Sequence, residues 1–196
     1  MDFILEIPGN LSPEICEQMM EKFEGDDRTR EGITADGKSN SPYKKSEDLN
    51  ISGLEEWKDI DDYLCKQLRV GIAKYKEHIC NKVGAPCWLN YSMDDSGYQI
   101  QKTVQGQYYS WHSDDMFETK RQFTFLWYLN TFDTNIDGGG TAFHPSIGGG
   151  KVIKPEQGKL ILFPATWTYV HMGLPVITPD KSKYVCTGWI HSKNAV

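Results

Sequence analysis

The sequence predicts an α+β fold: a double-stranded β-helix, or jelly roll, buttressed by N-terminal helices. Three observations carry that expectation. Apolar residues recur at helical spacing in the first part of the chain. After Pro86, aromatic and β-branched segments alternate with Gly and Asp/Asn turns. The turn signals in that second part come at short, regular intervals, as in sandwiches and barrels. A chain of 196 residues suits one domain with a sizeable core. The expected organisation is a single domain over 1–196, with helical support in 1–85 and the jelly-roll core in 86–196.

The elements follow in order. Ser12 can cap a helix whose first position is Pro13, where a missing N–H costs nothing. Ile15, Met19 and Phe23 give that helix one apolar face, and Gly25 stops it. Segment 26–48 is polar and holds Gly32, Gly37 and Pro42, which reads as a long loop, or a loop with a short strand. Loops of that length are commonly functional lids or disordered segments. Ile60, Leu64, Leu68, Ile72, Tyr75 and Ile79 then mark a second helix, ending before Gly84 and Pro86 and long enough to cross a whole sheet. Strands are expected at 88–93, 98–104, 121–130, 141–144, 159–163, 167–172 and 183–191. The two triple-glycine runs, at 138–140 and 148–150, are turn material, since neither precedes Lys-Ser/Thr or opens a helix.

Composition narrows the function. Lys and Arg number 21 against 27 Asp and Glu, for a net charge of −6. That disfavours nucleic acid as a partner, because phosphate contacts need a basic surface. The five cysteines are scattered and odd in number, which points to reduced thiols and a cytoplasmic location. Met1-Asp2-Phe3-Ile4-Leu5-Glu6 has no basic n-region, so no signal peptide is expected, and no apolar run is long enough to span a membrane.

Chemistry concentrates at three places. In His112-Ser113-Asp114, residues two apart on an extended segment share a face, so an imidazole and a carboxylate could reach one ion. His171 lies on a later strand, and a jelly roll brings distant strands to one mouth. Two His and one carboxylate leave open coordination positions, which suits iron(II) and oxygen chemistry, although three-ligand zinc sites also exist. Lys183 follows on the next strand as a buried cation for the far end of a dicarboxylate. Lys181 is its rival, in the turn Pro179-Asp180-Lys181-Ser182. His144, His78 and His191 read as structural or exposed, Asp115 turns to the face opposite Asp114, and Trp111, Phe125 and Trp127 read as core.

Residues 98–191 also carry a run of motifs in fixed order: Gly106-Gln107-Tyr108-Tyr109 before His112-Ser113-Asp114; Arg121-Gln122-Phe123-Thr124 before Tyr128-Leu129-Asn130; Gly139-Gly140-Thr141-Ala142-Phe143; Pro155 and Gly158 before 160–163; His171-Met172-Gly173-Leu174-Pro175-Val176; and Lys183-Tyr184 through Gly188-Trp189. This run resembles the prolyl 4-hydroxylase-like branch of the iron(II)/2-oxoglutarate dioxygenases. The resemblance implies that His112, Asp114 and His171 bind iron, that Lys183 and Tyr128 hold the 5-carboxylate of 2-oxoglutarate, that Trp189 lines the pocket wall, and that Arg121 faces substrate. Two departures are visible. Thr103 stands where the family often has a tyrosine, keeping the hydroxyl without its reach, and the stretch from His171 to Lys183 is longer by two, which a longer turn at 178–182 absorbs.

The resemblance further implies Fe(II), 2-oxoglutarate and O2 as reactants, with ascorbate as reductant, and hydroxylation of a C–H bond. The carboxylate of Asp114 favours hydroxylation over halogenation. A prolyl residue in a protein or peptide is the implied substrate. A free amino acid or other small molecule is the enzymatic alternative, a nucleic-acid demethylase fits the charge less well, and a metal-dead jelly-roll binding module is the alternative of another class.

Overall fold

The computed structural model describes residues 3–34, 42–84, 93–115 and 120–192. Two antiparallel sheets face each other, and two helices cover the outer face of the larger one. Helix α1 (Pro13–Glu24) starts as its sequence dictates: the Ser12 side chain accepts a hydrogen bond from the Ile15 N–H, and Pro13 occupies the first turn. It buries Cys16, Met19 and Phe23, while Ile15 stays half-buried. Helix α2 runs from Lys58 to Val83, 26 residues, and ends on Gly84 in the left-handed conformation (φ 67°), whose N–H reaches the Cys80 carbonyl. It buries Ile60, Leu64, Leu68, Gly71 and Tyr75. A Cβ at Gly71 would lie 2.4 Å from Leu160 Cδ2, so glycine there lets the helix approach the sheet closely.

The strands are β1 (Leu5–Ile7), β2 (Arg30–Glu31), β3 (Glu47–Asn50), β4 (Met93–Asp95), β5 (Gln99–Thr103), β6 (Tyr109–His112), β7 (Arg121–Tyr128), β8 (Thr141–Phe143), β9 (Val152–Ile153), β10 (Leu160–Pro164), β11 (His171–Gly173) and β12 (Lys183–Ser192). The larger sheet has the order β1-β10-β7-β12-β5-β3-β2, with β4 paired to the end of β12. The smaller has the order β6-β11-β8-β9. This is the expected jelly roll buttressed by helices.

Period-two alternation divides each strand between two environments. In β7, Phe123, Phe125 and Trp127 lie under the helices, whereas Thr124, Leu126 and Tyr128 point between the sheets. In β10, Leu160 and Leu162 lie under the helices and Ile161 and Phe163 point inward. In β12, Cys186 and Ile190 lie under the helices, so Lys183, Val185, Thr187 and Trp189 line the inner face in one row.

Several expectations need correction. The division at 85/86 is not a boundary, because β1, β2 and β3 come from the first part of the chain and join the larger sheet. Two to four residues with only a few apolar positions leave no periodic signature, and these strands exist because an antiparallel neighbour pairs with them. Segment 167–172 is not one strand: Trp167–Tyr169 forms a 3-10 turn, and only His171–Gly173 is extended. β9 was not expected, and the expected strand at 88–93 lies outside the described residues except for Met93. Trp111 is not core but 44% exposed, because it points away from the cleft that its neighbour His112 faces. His191 is half-buried rather than exposed. No described helix is long and apolar enough to cross a membrane.

Candidate metal centre

The antiparallel pairing of β6 and β11 sets His171 directly opposite His112. Asp114 follows two residues after His112, so alternation brings it back to the same face. The result is one cluster: Asp114 Oδ1 lies 3.7 Å from His112 Nε2, and Asp114 Oδ2 lies 3.5 Å from His171 Nε2. All three ligand atoms lie within 4.8 Å of one another. Among the described residues no other such group of His, Cys and acidic side chains could hold a metal ion.

The surroundings orient each of the three. His112 Nδ1 is 2.8 Å from the Ser110 carbonyl and His171 Nδ1 is 3.0 Å from the Tyr169 carbonyl. A carbonyl accepts only, so each ring carries its proton on Nδ1 and turns the Nε2 lone pair toward the cluster. The Thr124 hydroxyl donates to Asp114 Oδ2 at 2.6 Å. Tyr109 stacks on the His112 ring at 3.6 Å, and the Lys44 ammonium lies 5.5 Å over the Tyr109 ring. Burial, then the neighbouring His171, pushes the His112 imidazolium down to about 4, so the ring is neutral near pH 7 as a metal ligand must be. Burial alone would push the Asp114 carboxyl up, but His171, His112 and the Thr124 hydroxyl outweigh it and hold the carboxyl below its usual range. Two imidazole nitrogens and one carboxylate with open positions beside them are the donor set of a non-haem iron(II) centre.

The triad opens on a cleft between the sheets. At its inner end lies Lys183, buried, its Nζ donating to the Gly139 carbonyl at 3.0 Å. Among the described residues it has no carboxylate partner, and burial alone pushes its ammonium down to about 8. Thr103 sits opposite Lys183 in the sheet and faces the same space. Lys181 does not line the cleft; it pairs with Asp137. Tyr128 stands one step behind the wall: its hydroxyl donates to Thr141 Oγ1 at 2.7 Å, and Thr141, not Tyr128, lines the cleft. The Tyr128 hydroxyl is thus spent on Thr141 and does not itself face the cleft.

The cleft continues outward into a groove that shares Asp114, Thr187 and Trp189 with it. Arg121 lines this outer part, its guanidinium stacked 3.5 Å over the Trp189 ring and donating to the Asp114 carbonyl at 3.2 Å. The Arg121 Nε–H and Trp189 Nε1–H are buried without a hydrogen-bond partner among the described residues. His144 lies outside the cluster, against Trp111.

Sequence reasoning missed Thr124, Thr141 and Lys44. Lys44 is buried with Asp48 in an ion pair beside the metal strand. Thr124 and Thr141 stand in the motif run but carry no role there, and nothing in the sequence singled out Lys44.

The family model for the 2OG-Fe(II) oxygenase superfamily matches residues 98–191, the stretch from β5 to β12 that contains the whole cluster. Residues 98–191 thus carry the sequence pattern of this superfamily. Solved structures agree on the fold. A prolyl hydroxylase from Trichoplax adhaerens, in complex with a hypoxia inducible factor oxygen degradation domain peptide fragment, superposes with TM-score 0.81 at 20% identity, covering 98% of this chain and 84% of that one. A viral collagen prolyl hydroxylase from Paramecium Bursaria Chlorella virus-1, as its 2OG complex, gives TM-score 0.67 at 22% identity over 98% and 97%. A prolyl-4-hydroxylase from Pseudomonas putida gives 0.70 at 15% over 97% and 94%. At these identities the likeness is one of fold. No curated protein matches the sequence.

Proposed function

We propose that the oxygenase uses iron(II) and 2-oxoglutarate to hydroxylate a prolyl residue in a protein or peptide. The observation that carries this reading is the two-His, one-Asp cluster sharing a single cleft with a buried lysine that has no carboxylate partner among the described residues. His112, Asp114 and His171 would hold the iron, and Lys183 would receive the distal carboxylate of 2-oxoglutarate, with the Thr103 and Thr141 hydroxyls beside it. A buried ammonium meeting a carboxylate in a dry cleft forms a strong charge-assisted pair. Iron bound there would supply oxygen activation coupled to conversion of 2-oxoglutarate to succinate and carbon dioxide, with O2 as oxidant and ascorbate maintaining the ferrous state.

The chain's own residues do the positioning. The Ser110 and Tyr169 carbonyls fix the imidazole tautomers, and Thr124 orients Asp114. Leu126 and Val185 give the cleft apolar walls that keep water away from the reacting carbon. The outer groove supports a chain-like substrate. It continues from the cluster, and Arg121 and Trp189 line it. The similar structures are prolyl hydroxylases, one of them captured with a peptide. A reducing, cytoplasmic setting fits the free cysteines Cys16, Cys65, Cys80 and Cys186.

The test is succinate formation with iron(II), ascorbate and a pool of proline-containing peptides, followed by mass spectrometry of the peptides. The expected result is peptide-stimulated succinate and the gain of one oxygen on a prolyl residue, both lost in His171→Ala. Succinate formation that no peptide stimulates would remove the peptidyl substrate, and none under any condition would remove the oxygenase activity.

A further inference from the structure

Among the described residues, Lys183 Nζ has one hydrogen-bond partner, and a loop supplies it. Its Nζ donates to the Gly139 carbonyl, and Gly138 and Gly139 both take the left-handed conformation (φ 69° and 68°) that turns that carbonyl inward. Two glycines in succession give a turn with little stiffness of its own, so the carbonyl is held from outside. The Gly139 N–H bonds the Pro175 carbonyl, and the Ile177 N–H bonds the Asp137 carbonyl, lacing 137–139 to 175–177. The side chain of Asp137 ties in the rest. It accepts from the Thr178 hydroxyl at 2.7 Å and from the Asp133 N–H at 2.9 Å, and it ion-pairs with Lys181. The Lys181 ammonium also lies 4.5 Å over the Phe132 ring, against which Gly139 is set so closely that a Cβ there would be 2.9 Å from it.

We infer that Asp137 and Lys181 form a latch that positions the Gly139 carbonyl and, through it, the ammonium of Lys183, so that Lys181 is a positioning residue for the cosubstrate. This rests on the 2-oxoglutarate reading above. The longer turn between His171 and Lys183 thereby has a use: it delivers Thr178 and Lys181 to Asp137. Lys181, with Thr178, holds the Asp137 carboxyl down at about 2, so Asp137 stays a carboxylate near neutral pH.

The test is calorimetric binding of 2-oxoglutarate to manganese(II)-loaded protein, with KM and kcat measured alongside. Lys181→Met and Asp137→Asn should each weaken 2-oxoglutarate binding about 3- to 10-fold, the effect of losing one hydrogen-bonded link. Both should raise KM and leave kcat at saturating 2-oxoglutarate unchanged. The double variant should be no worse than the weaker single one, because both break the same link. Lys181→Arg, which keeps the charge, should restore wild-type binding. Variants that lose thermal stability but bind 2-oxoglutarate like wild type would overturn the latch alone. Wild-type protein that binds no 2-oxoglutarate would overturn both the latch and the reading it rests on.

Discussion

Lys183 carries a charge into a place where charge is costly, and its titration reports what the cleft is for. Its folded value near 8 lies below the ordinary 10.5 because burial disfavours the ammonium. Between those values the unfolded chain binds the extra proton and the folded chain does not, so unliganded protein should become more stable as pH rises through that window. Affinity for a dicarboxylate should move the opposite way. The charged form is the one that binds, so KM for 2-oxoglutarate should rise above about pH 8. Lys183→Arg should flatten that alkaline limb, because a guanidinium does not titrate there. Lys183→Met should weaken binding by at least about 30-fold, the lower end for removing one partner of a buried charge pair, while stabilising the unliganded form. A Lys183→Met protein with wild-type KM would remove the lysine from the site. At this scale the clustered residues were legible: His112-Ser113-Asp114 needs only strand alternation to converge. Thr124 and Thr141 were not, because a threonine hydroxyl gains meaning only from what faces it across the fold. The rivalry of Lys181 and Lys183 was legible as a question, and their surroundings favour Lys183. Lys183 lies in the cleft, whereas Lys181 is spoken for by Asp137.

Strand β12 is the element that joins the site to the core. One face packs Cys186 and Ile190 beneath the helices, and the other presents Lys183, Val185, Thr187 and Trp189 to the cleft. Gly188 sits among them with no room to spare. A Cβ there would lie 2.4 Å from the Gly97 carbonyl oxygen and 2.5 Å from Phe125 Cζ. Backbone cannot step aside as a side-chain end can, so Gly188→Ala should cost roughly 1–3 kcal/mol of stability by denaturant unfolding. Val70→Ala on the exposed side of α2 should stay within about 0.5 kcal/mol. Equal effects would mean that β12 tolerates displacement. Long elements such as α2, β7 and β12 were readable because each repeats its period several times. β1 to β3 were not, since their partners lie far away in sequence and only the completed sheet calls for them. The 3-10 turn at Trp167–Tyr169 deceived for a related reason. Aromatic residues favour strands, but here one of them, Tyr169, turns inward to the core and leaves Trp167 65% exposed.

At the scale of the whole molecule, a protein of net charge −6 keeps cations on the path from the groove to the inner end of the cleft: Arg121, Lys44 and Lys183. Helices brace one face of the larger sheet, which leaves its other face and the smaller sheet to hold the triad and the lysine at fixed separation. If that arrangement is one site, metal and cosubstrate must bind interdependently, because each would touch the same bound molecule. The most direct measurement is calorimetric titration of 2-oxoglutarate into wild type, His171→Ala and Lys183→Met, each with and without manganese(II). Binding that appears only in metal-loaded wild type, and is lost or severely weakened in both variants, is the predicted result. Binding indifferent to the metal, or unchanged in Lys183→Met, would contradict a single site built from His112, Asp114, His171 and Lys183.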